Sequence, residues 1–297
     1  MCFKSTLEHL TNAKIHFDMP MRKHTSLGVG GSARYYAEID SLYSLNKLIC
    51  LANEHKVNYK VIGNGTNILV SDLGFDGLII DIKRLNDIFF KQNDIRVLAG
   101  AKLDKLIKFM QSNGLTGLEE LSGIPATVGG AIVMNAGAFK HNISDHLVSV
   151  ETLSDGKIKF YNKKDCKFSY RTSRFLNNKE VVISAVFSLP SGDRESVSQK
   201  IKSYIDLRHK MHPVGRSCGS VFKNPKPFVA GELIDKLGLK GYSVGGASVS
   251  LVHANFITTQ VNAKAKDVRL LIEQIKQKVK DAYNVQLTEE VEYLGEF

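Results

Sequence analysis

The chemistry of this chain is most concentrated in Ser217-Cys218-Gly219-Ser220-Val221-Phe222-Lys223-Asn224-Pro225. Ser220 carries an alcohol that can donate a proton, Lys223 a fixed positive charge, and Asn224 two donors and an acceptor. Such residues suit a polar pocket that needs close backbone approach better than they suit a packed core. Two further polar points stand apart from this stretch. One is Arg171, in Tyr170-Arg171-Thr172-Ser173. The other is the carboxylate pair Glu289-Glu290, ahead of Val291-Glu292-Tyr293-Leu294-Gly295. Singly, each has a bland alternative: Ser220 a turn residue, Arg171 a surface salt-bridge partner, Glu290 an exposed strand carboxylate.

Two glycine segments supply the backbone counterpart. Ile62-Gly63-Asn64-Gly65-Thr66-Asn67-Ile68-Leu69-Val70 reads as strand, turn, strand. Gly63 and Gly65 permit positive φ and close approach, so successive N–H groups can point at an anion, and Thr66 and Asn67 add side-chain donors. It has no Gly-x-Gly-x-x-Gly, no helix follows at once, and the chain contains no Walker A sequence, which excludes the common dinucleotide and P-loop fingerprints. The second segment runs Gly123-Ile124-Pro125-Ala126-Thr127-Val128-Gly129-Gly130-Ala131-Ile132-Val133-Met134-Asn135-Ala136-Gly137-Ala138. Its four glycines among small residues predict little side-chain packing and room for a flat cofactor with a pyrophosphate, or else a plain glycine-rich corner between strands.

Together with His24-Thr25-Ser26-Leu27-Gly28-Val29-Gly30-Gly31-Ser32-Ala33, these blocks resemble, in chain order, the UDP-N-acetylenolpyruvoylglucosamine reductase family over about Met21 to Gly295. The resemblance implies an α+β chain with the vanillyl-alcohol-oxidase-like (PCMH-type) FAD-binding fold. That fold has two flavin-binding subdomains, followed by a C-terminal α+β substrate-binding domain. It implies residues 1–82 as the first subdomain, with 285–297 returning to it, 83–195 as the second and 196–284 as the substrate domain. FAD would be held without a covalent link, since neither glycine segment contains the histidine or cysteine that attaches a flavin. NADPH would be the hydride donor.

The implied cofactor ligands are Gly63, Asn64, Gly65, Thr66 and Asn67, then Gly123, Ile124, Pro125, Thr127, Gly129, Gly130, Asn135, Ala136 and Gly137. By the same resemblance Arg171, Ser220 and Glu290 are catalytic. Glu290 is chosen over Glu289 because it aligns ahead of Val-x-Tyr-Leu-Gly at the start of the last strand, where alternation turns Glu289 to the other face. Reducing an enolpyruvyl ether places hydride on the β-carbon, so charge builds on the α-carbon and its carboxylate. Arg171 can meet that charge bidentately, Glu290 completes the hydrogen-bonded site, and Ser220 protonates the α-carbon. Tyr170, Arg208, Lys223 and Asn224 are implied substrate contacts, and His253 and Asn255 border the substrate or satisfy a loop. Met211, after Lys210, stands where the family often carries a lysine. Only Thr172 to Glu180 follows the Tyr-Arg motif before the next strand, which matches the shorter subtype without a lid tyrosine.

The elements that must position these residues are legible from periodicity. Apolar spacing predicts helices over Leu42 to His55, Leu103 to Ser112, Ser196 to Lys210 and Lys264 to Tyr283. Strands are predicted at Tyr59 to Ile62, Leu78 to Ile82, Ile95 to Ala99, Val181 to Leu189 and Glu290 to Leu294, with a hairpin from Val148–Leu153 to Lys157–Tyr161 through Ser-Asp-Gly. Mixed sheets follow, not a regular doubly wound series. Hydrophobic residues make up 43% and charged residues 24% of 297, ordinary for a soluble globular protein with a real core. The apolar runs are of strand length, which predicts no stable membrane association, and the first twenty residues lack a signal-peptide apolar region.

The net charge of +10 rests on dispersed lysines without arginine–aromatic interleaving. That favours a solvated surface over nucleic-acid binding, with a field that draws an anionic substrate inward. Cys2, Cys50, Cys166 and Cys218 are scattered, and His209 and His212 lack further partners, so no metal site is expected. A cytoplasmic monomer is expected, and the resemblance implies a small sugar nucleotide as its substrate.

Overall fold

The sequence folds around three main sheets, and a computed structural model describes residues 2–10, 13–91, 94–154 and 156–297. One sheet has the strand order Lys14–Pro20, Ser32–Glu38, Phe75–Asp81, Tyr59–Ile62. Its last pair is parallel, with Tyr59 opposite Leu78 and Ile62 opposite Asp81. The connecting helix Leu42–Glu54 is capped by Ser41, whose hydroxyl accepts from the Ser44 N–H at 3.2 Å. Its buried face is Leu45, Leu48, Ile49 and Ala52, the spacing that predicted it.

By contacts the chain forms two units. The first comprises Met1–His16, Tyr36–Asn64 and Gly77–Arg208. It holds an antiparallel five-stranded sheet in the order Lys157–Asn162, Leu147–Ser154, Val181–Ser188, Asp94–Leu98, Ile88–Lys91. The expected hairpin is present, with Ser154 opposite Lys157 and Ser149 opposite Asn162; Asp155 at its turn lies outside the described residues. Helix Leu103–Ser112 has the predicted bounds and buries Leu103, Leu106, Ile107 and Met110.

The second unit comprises Phe17–Tyr35, Gly65–Asp76 and His209–Phe297. Its four-stranded sheet runs Ser217–Ser220, Phe256–Thr259, Ala247–Val249, Ser243–Val244. Helix Ala265–Tyr283 packs on this sheet through Val268, Leu271, Ile272, Ile275 and Val279. Each such side chain contributes about 1.5–3 kcal/mol by burial. A second, two-stranded sheet pairs Ile68–Val70 in parallel with Glu292–Leu294.

Two expectations are corrected. The second glycine segment contains a helix, Val128–Val133, with Val128, Ala131 and Ile132 buried, so it does pack. Thr127 caps it, accepting from the Gly130 N–H at 3.3 Å, and the helix rests on strand Val181–Ser188. The last strand begins at Glu292, not Glu290, because the Glu290 N–H is drawn away to the Val221 carbonyl at 2.7 Å. No helix among the described residues is long and apolar enough to cross a membrane.

Candidate active site

In the first glycine segment, the backbone N–H groups of Gly63, Asn64, Gly65, Thr66 and Asn67 meet no acceptor among the described residues. Five successive unspent donors are the raw material of an anion cradle. The glycines that shape it are sterically required. A Cβ on Gly63 would lie 2.1 Å from Thr127 Oγ1. Gly65 has φ +61°, and a Cβ there would lie 2.2 Å from the His24 carbonyl oxygen. The Asn64 side chain donates to the Pro125 carbonyl at 3.0 Å, and Ser26 N–H to the Gly65 carbonyl at 3.1 Å. Thr66 is half-buried with no side-chain hydrogen bond among the described residues. Asn67 turns its amide the other way, donating to the Glu290 carbonyl at 2.9 Å.

The second glycine segment spends its donors internally. Ile124 N–H reaches Leu121 O, Ala126 reaches Ile124 O, Val128 reaches Ala101 O at 2.8 Å, and Gly129 reaches Ala99 O at 2.8 Å. Gly123 holds φ +78° against the Arg208 side chain, and Gly130 is exposed. Asn135, only 4% exposed and at φ +45°, donates to the Ser169 carbonyl at 3.0 Å while its Oδ1 has no partner among the described residues. The Ala136 carbonyl accepts from Ile143, and Gly137 sits opposite Asn142 in a two-residue pairing.

Tyr170-Arg171-Thr172-Ser173 is fastened to this same segment. Ser173 Oγ donates to the Val133 carbonyl at 2.7 Å, and Arg171 Nη2 to the Gly137 carbonyl at 2.9 Å. Arg171 has φ +50°, and its guanidinium lies 5.4 Å from the ring centre of Tyr170, which is 49% exposed. Arg208 is half-buried, and burial pulls its guanidinium below the ordinary arginine range. It donates to the carbonyls of Ser122 at 2.9 Å and Glu120 at 3.4 Å, so part of its donor set braces the approach to Gly123.

In the second unit, Ser220 ends its strand opposite Phe256, after Gly219 at φ +79°. The chain just beyond it is held by the carboxylate pair's backbone: Glu290 N–H donates to the Val221 carbonyl at 2.7 Å, Phe222 bridges Glu289, and Lys223 N–H donates to Thr288 O at 2.9 Å. The Glu289 carboxylate pairs with Lys276 at 2.7 Å. Burial, reinforced by the charge of Glu290, pushes the Cys218 thiol up to about 12, so it is inert.

Lys223 is half-buried and its ammonium has no partner among the described residues. Asn224 Oδ1 accepts from the Ala230 N–H at 3.0 Å. Burial holds His253 below the usual imidazole range; its Nδ1 accepts from Asn255 N–H at 3.2 Å and its ring packs on Phe256. Asn255 corrects the expectation of a substrate-bordering side chain. It is 4% exposed and takes the loop-satisfying alternative, with both ends of its amide bound to the backbone of Phe222.

Ser26 and Ser122 were not singled out from the sequence, yet their hydroxyls are buried without partners among the described residues, beside Gly65 and Gly123. Their signal was adjacency to the glycines. Within the first unit, Ser122 Oγ and Asn135 Oδ1, and within the second, Ser26 Oγ and the N–H groups from Gly65 to Asn67, are unsatisfied polar groups of the kind that a flavin nucleotide, rich in donors and acceptors, would satisfy. The residues present fit FAD.

Comparison with known proteins gives the same direction. Residues 209–294 match the UDP-N-acetylenolpyruvoylglucosamine reductase C-terminal domain, and residues 33–160 an FAD binding domain. UDP-N-acetylenolpyruvoylglucosamine reductase 1 of Bacillus cereus is 38% identical over 300 residues, covering 97% of this chain and 100% of that protein. The crystal structure of UDP-N-acetylenolpyruvylglucosamine reductase from Thermus caldophilus superposes with a TM-score of 0.81 at 33% identity, over 95% of this chain and 99% of that one. Physcomitrella patens BBE-like 1 shares the fold alone, with a TM-score of 0.50 at 13% identity over 64% of this chain and 45% of its own.

Proposed function

Because the chain belongs to the UDP-N-acetylenolpyruvoylglucosamine reductase family, we propose that it reduces UDP-N-acetylglucosamine enolpyruvate to UDP-N-acetylmuramate with FAD and NADPH, a step in making peptidoglycan precursors. The observation that carries this reading is the 2.7 Å bond from Glu290 N–H to the Val221 carbonyl, which holds the Glu290 backbone beside the serine segment. When bound, FAD supplies the hydride that it takes from NADPH and gives to the enolpyruvyl β-carbon.

The chain's own residues do the rest. The unspent N–H groups of Gly63 to Asn67 hold the cofactor's diphosphate, and Gly123 to Gly137 present a small-residue surface to its ring, without a covalent link. Arg171 meets the substrate carboxylate, where charge develops, and Glu290 closes the hydrogen-bonded site around it. Ser220 Oγ–H gives its proton to the α-carbon; a strongly basic carbanion-like centre does not require an acidic donor. Lys223, Arg208, Asn224, Tyr170 and His253 contact the sugar nucleotide, and the net charge of +10 favours its approach. The chain works as a monomer in the cytoplasm, organised as residues 1–82 with 285–297, then 83–195 and 196–284.

Steady-state oxidation of NADPH tests the reading: turnover appears only when the enolpyruvyl sugar nucleotide is added, and substrate-independent oxidation alone would overturn it. Ser220→Ala then separates the two halves of the cycle. Flavin bleaching by NADPH stays near the wild-type rate, while reoxidation by the sugar nucleotide slows by roughly 10²–10⁴-fold. That is about 3–5 kcal/mol of transition-state stabilisation. Stopped-flow absorbance reads both halves, and reoxidation at the wild-type rate removes Ser220 from the mechanism.

A further inference from the structure

The strand that carries Ser220 loses its register before reaching it: the pairing with Phe256–Thr259 slips between Ser217 and Ser220. Beyond Ser220, ordinary sheet pairing no longer fixes the backbone. A side chain takes over. Asn255 Oδ1 accepts from the Phe222 N–H at 2.9 Å, and its Nδ2 donates to the Phe222 carbonyl at 2.8 Å. The same residue's own carbonyl accepts from the Val221 N–H at 2.8 Å. On the opposite edge, the Val221 carbonyl accepts from Glu290 and Phe222 bridges Glu289. Val221 and Phe222 thus form a strap gripped from both edges, with Ser220 at one end of it and Glu290 against its side.

We propose that Asn255 is a positioning residue for the reduction. Its side-chain amide stands in for a missing strand partner, fixing Val221–Phe222 and through them both the Ser220 hydroxyl and the Glu290 backbone. This rests on the roles assigned above to Ser220 and Glu290. It differs from a substrate contact because both ends of the amide are engaged with the Phe222 backbone and only 4% of the residue is exposed. A buried hydrogen bond contributes modestly to stability, but a buried group left unpaired costs more. Replacing the donor end therefore shifts the strap rather than merely loosening it.

Asn255→Asp in the flavin-loaded enzyme tests this, because its effect depends on protonation. In the neutral form, the carboxyl introduced by that substitution reproduces the pattern, accepting from Phe222 N–H and donating O–H to the Phe222 carbonyl. In the ionised form it turns a lone pair toward that carbonyl. Burial raises the carboxyl's pKa, so the two forms exchange within the working pH range. Flavin content and flavin reduction by NADPH are expected to stay near wild type. Reoxidation at saturating sugar nucleotide should fall about 10–100-fold at the alkaline end and recover toward wild type as pH is lowered. The titrated dissociation constant for UDP-N-acetylglucosamine stays within about threefold.

Reoxidation at the wild-type rate at every pH would overturn the proposal, as would a weakened dissociation constant with an unchanged saturating rate. If Asn255→Asp does not accumulate as a flavoprotein, hydrogen exchange of wild-type enzyme decides. Val221 and Phe222 amides protected like those of Phe256–Thr259 support the strap; loop-like exchange rejects it. Failure of the wild-type protein to use the enolpyruvyl substrate would instead strike the reading of function, and is seen before any variant is made.

Discussion

In the first glycine segment the N–H groups of residues 63 to 67 meet no acceptor among the described residues, whereas in the second those of Ile124, Ala126, Val128, Gly129 and Gly130 are engaged within the chain. The glycines differ correspondingly. Gly65 is locked by backbone, its φ positive and the His24 carbonyl oxygen 2.2 Å from a would-be Cβ. Gly129 is a packing glycine, bringing a helix within 2.8 Å of Ala99 measured from the same virtual atom, and Gly130 has nothing nearer than Thr127 Oγ1 at 3.4 Å. One segment leaves its backbone donors unspent; the other presents a thin wall whose named backbone donors are engaged, with Asn135 Oδ1 left over. Glycine-rich sequence alone does not distinguish an anion cradle from a close-packed surface, but the fate of the N–H groups does.

Substitutions along the two segments grade this contrast. Gly65→Val should have the largest effect, because a β-branched residue at φ +61° is strained and its Cβ meets immobile backbone. The purified protein is expected to carry almost no flavin, read from the ratio of visible to protein absorbance; full flavin content would remove this loop from cofactor binding. Gly129→Ala comes next. Overpacking against Ala99 costs about 1–3 kcal/mol, and the midpoint of thermal unfolding drops by about 2–4 °C per kcal/mol. An unchanged midpoint would mean that the helix has room to retreat.

Gly130→Ala has the smallest effect, and its sign is informative. Alanine in an exposed helical position without positive φ stabilises the apoprotein by about 0.5–1 kcal/mol. Flavin retention nevertheless weakens, because the new methyl thickens the wall. Stability and flavin retention rising together would show that this glycine is not there for the cofactor.

Helices were legible wherever an apolar face repeated. Leu103–Ser112 has the predicted bounds, and the long C-terminal helix begins at Ala265, one residue later than predicted. Val128–Val133 was not legible, because two glycines argue against a helix until the Thr127 cap and the contact with Ala99 are known. The site residues were visible as types and motif positions. What each side chain would do with its hydrogen bonds was not. Asn67 and Asn255 both present amides, yet one serves Glu290 at a sequence separation of 223 and the other Phe222 at 33. Which distant backbone a side-chain amide satisfies is set by tertiary closure and leaves no local pattern. Glu290 shows the same limit: its motif predicted a strand start, but two non-local hydrogen bonds pull it out of the ladder.

The parallel pairing of Ile68–Val70 with Glu292–Leu294 also sets an order of assembly. A ribosome makes the first glycine segment early, but the strand that braces it, and the Glu290 carbonyl that Asn67 grips 223 residues away, emerge only after the rest has been translated. Closing so long a loop is slow compared with forming local helices. The cradle proposed for the cofactor is therefore among the first parts synthesised and among the last completed. A nascent chain stalled before Leu294 would expose the apolar edge of Ile68, Leu69 and Val70 while still unable to hold flavin.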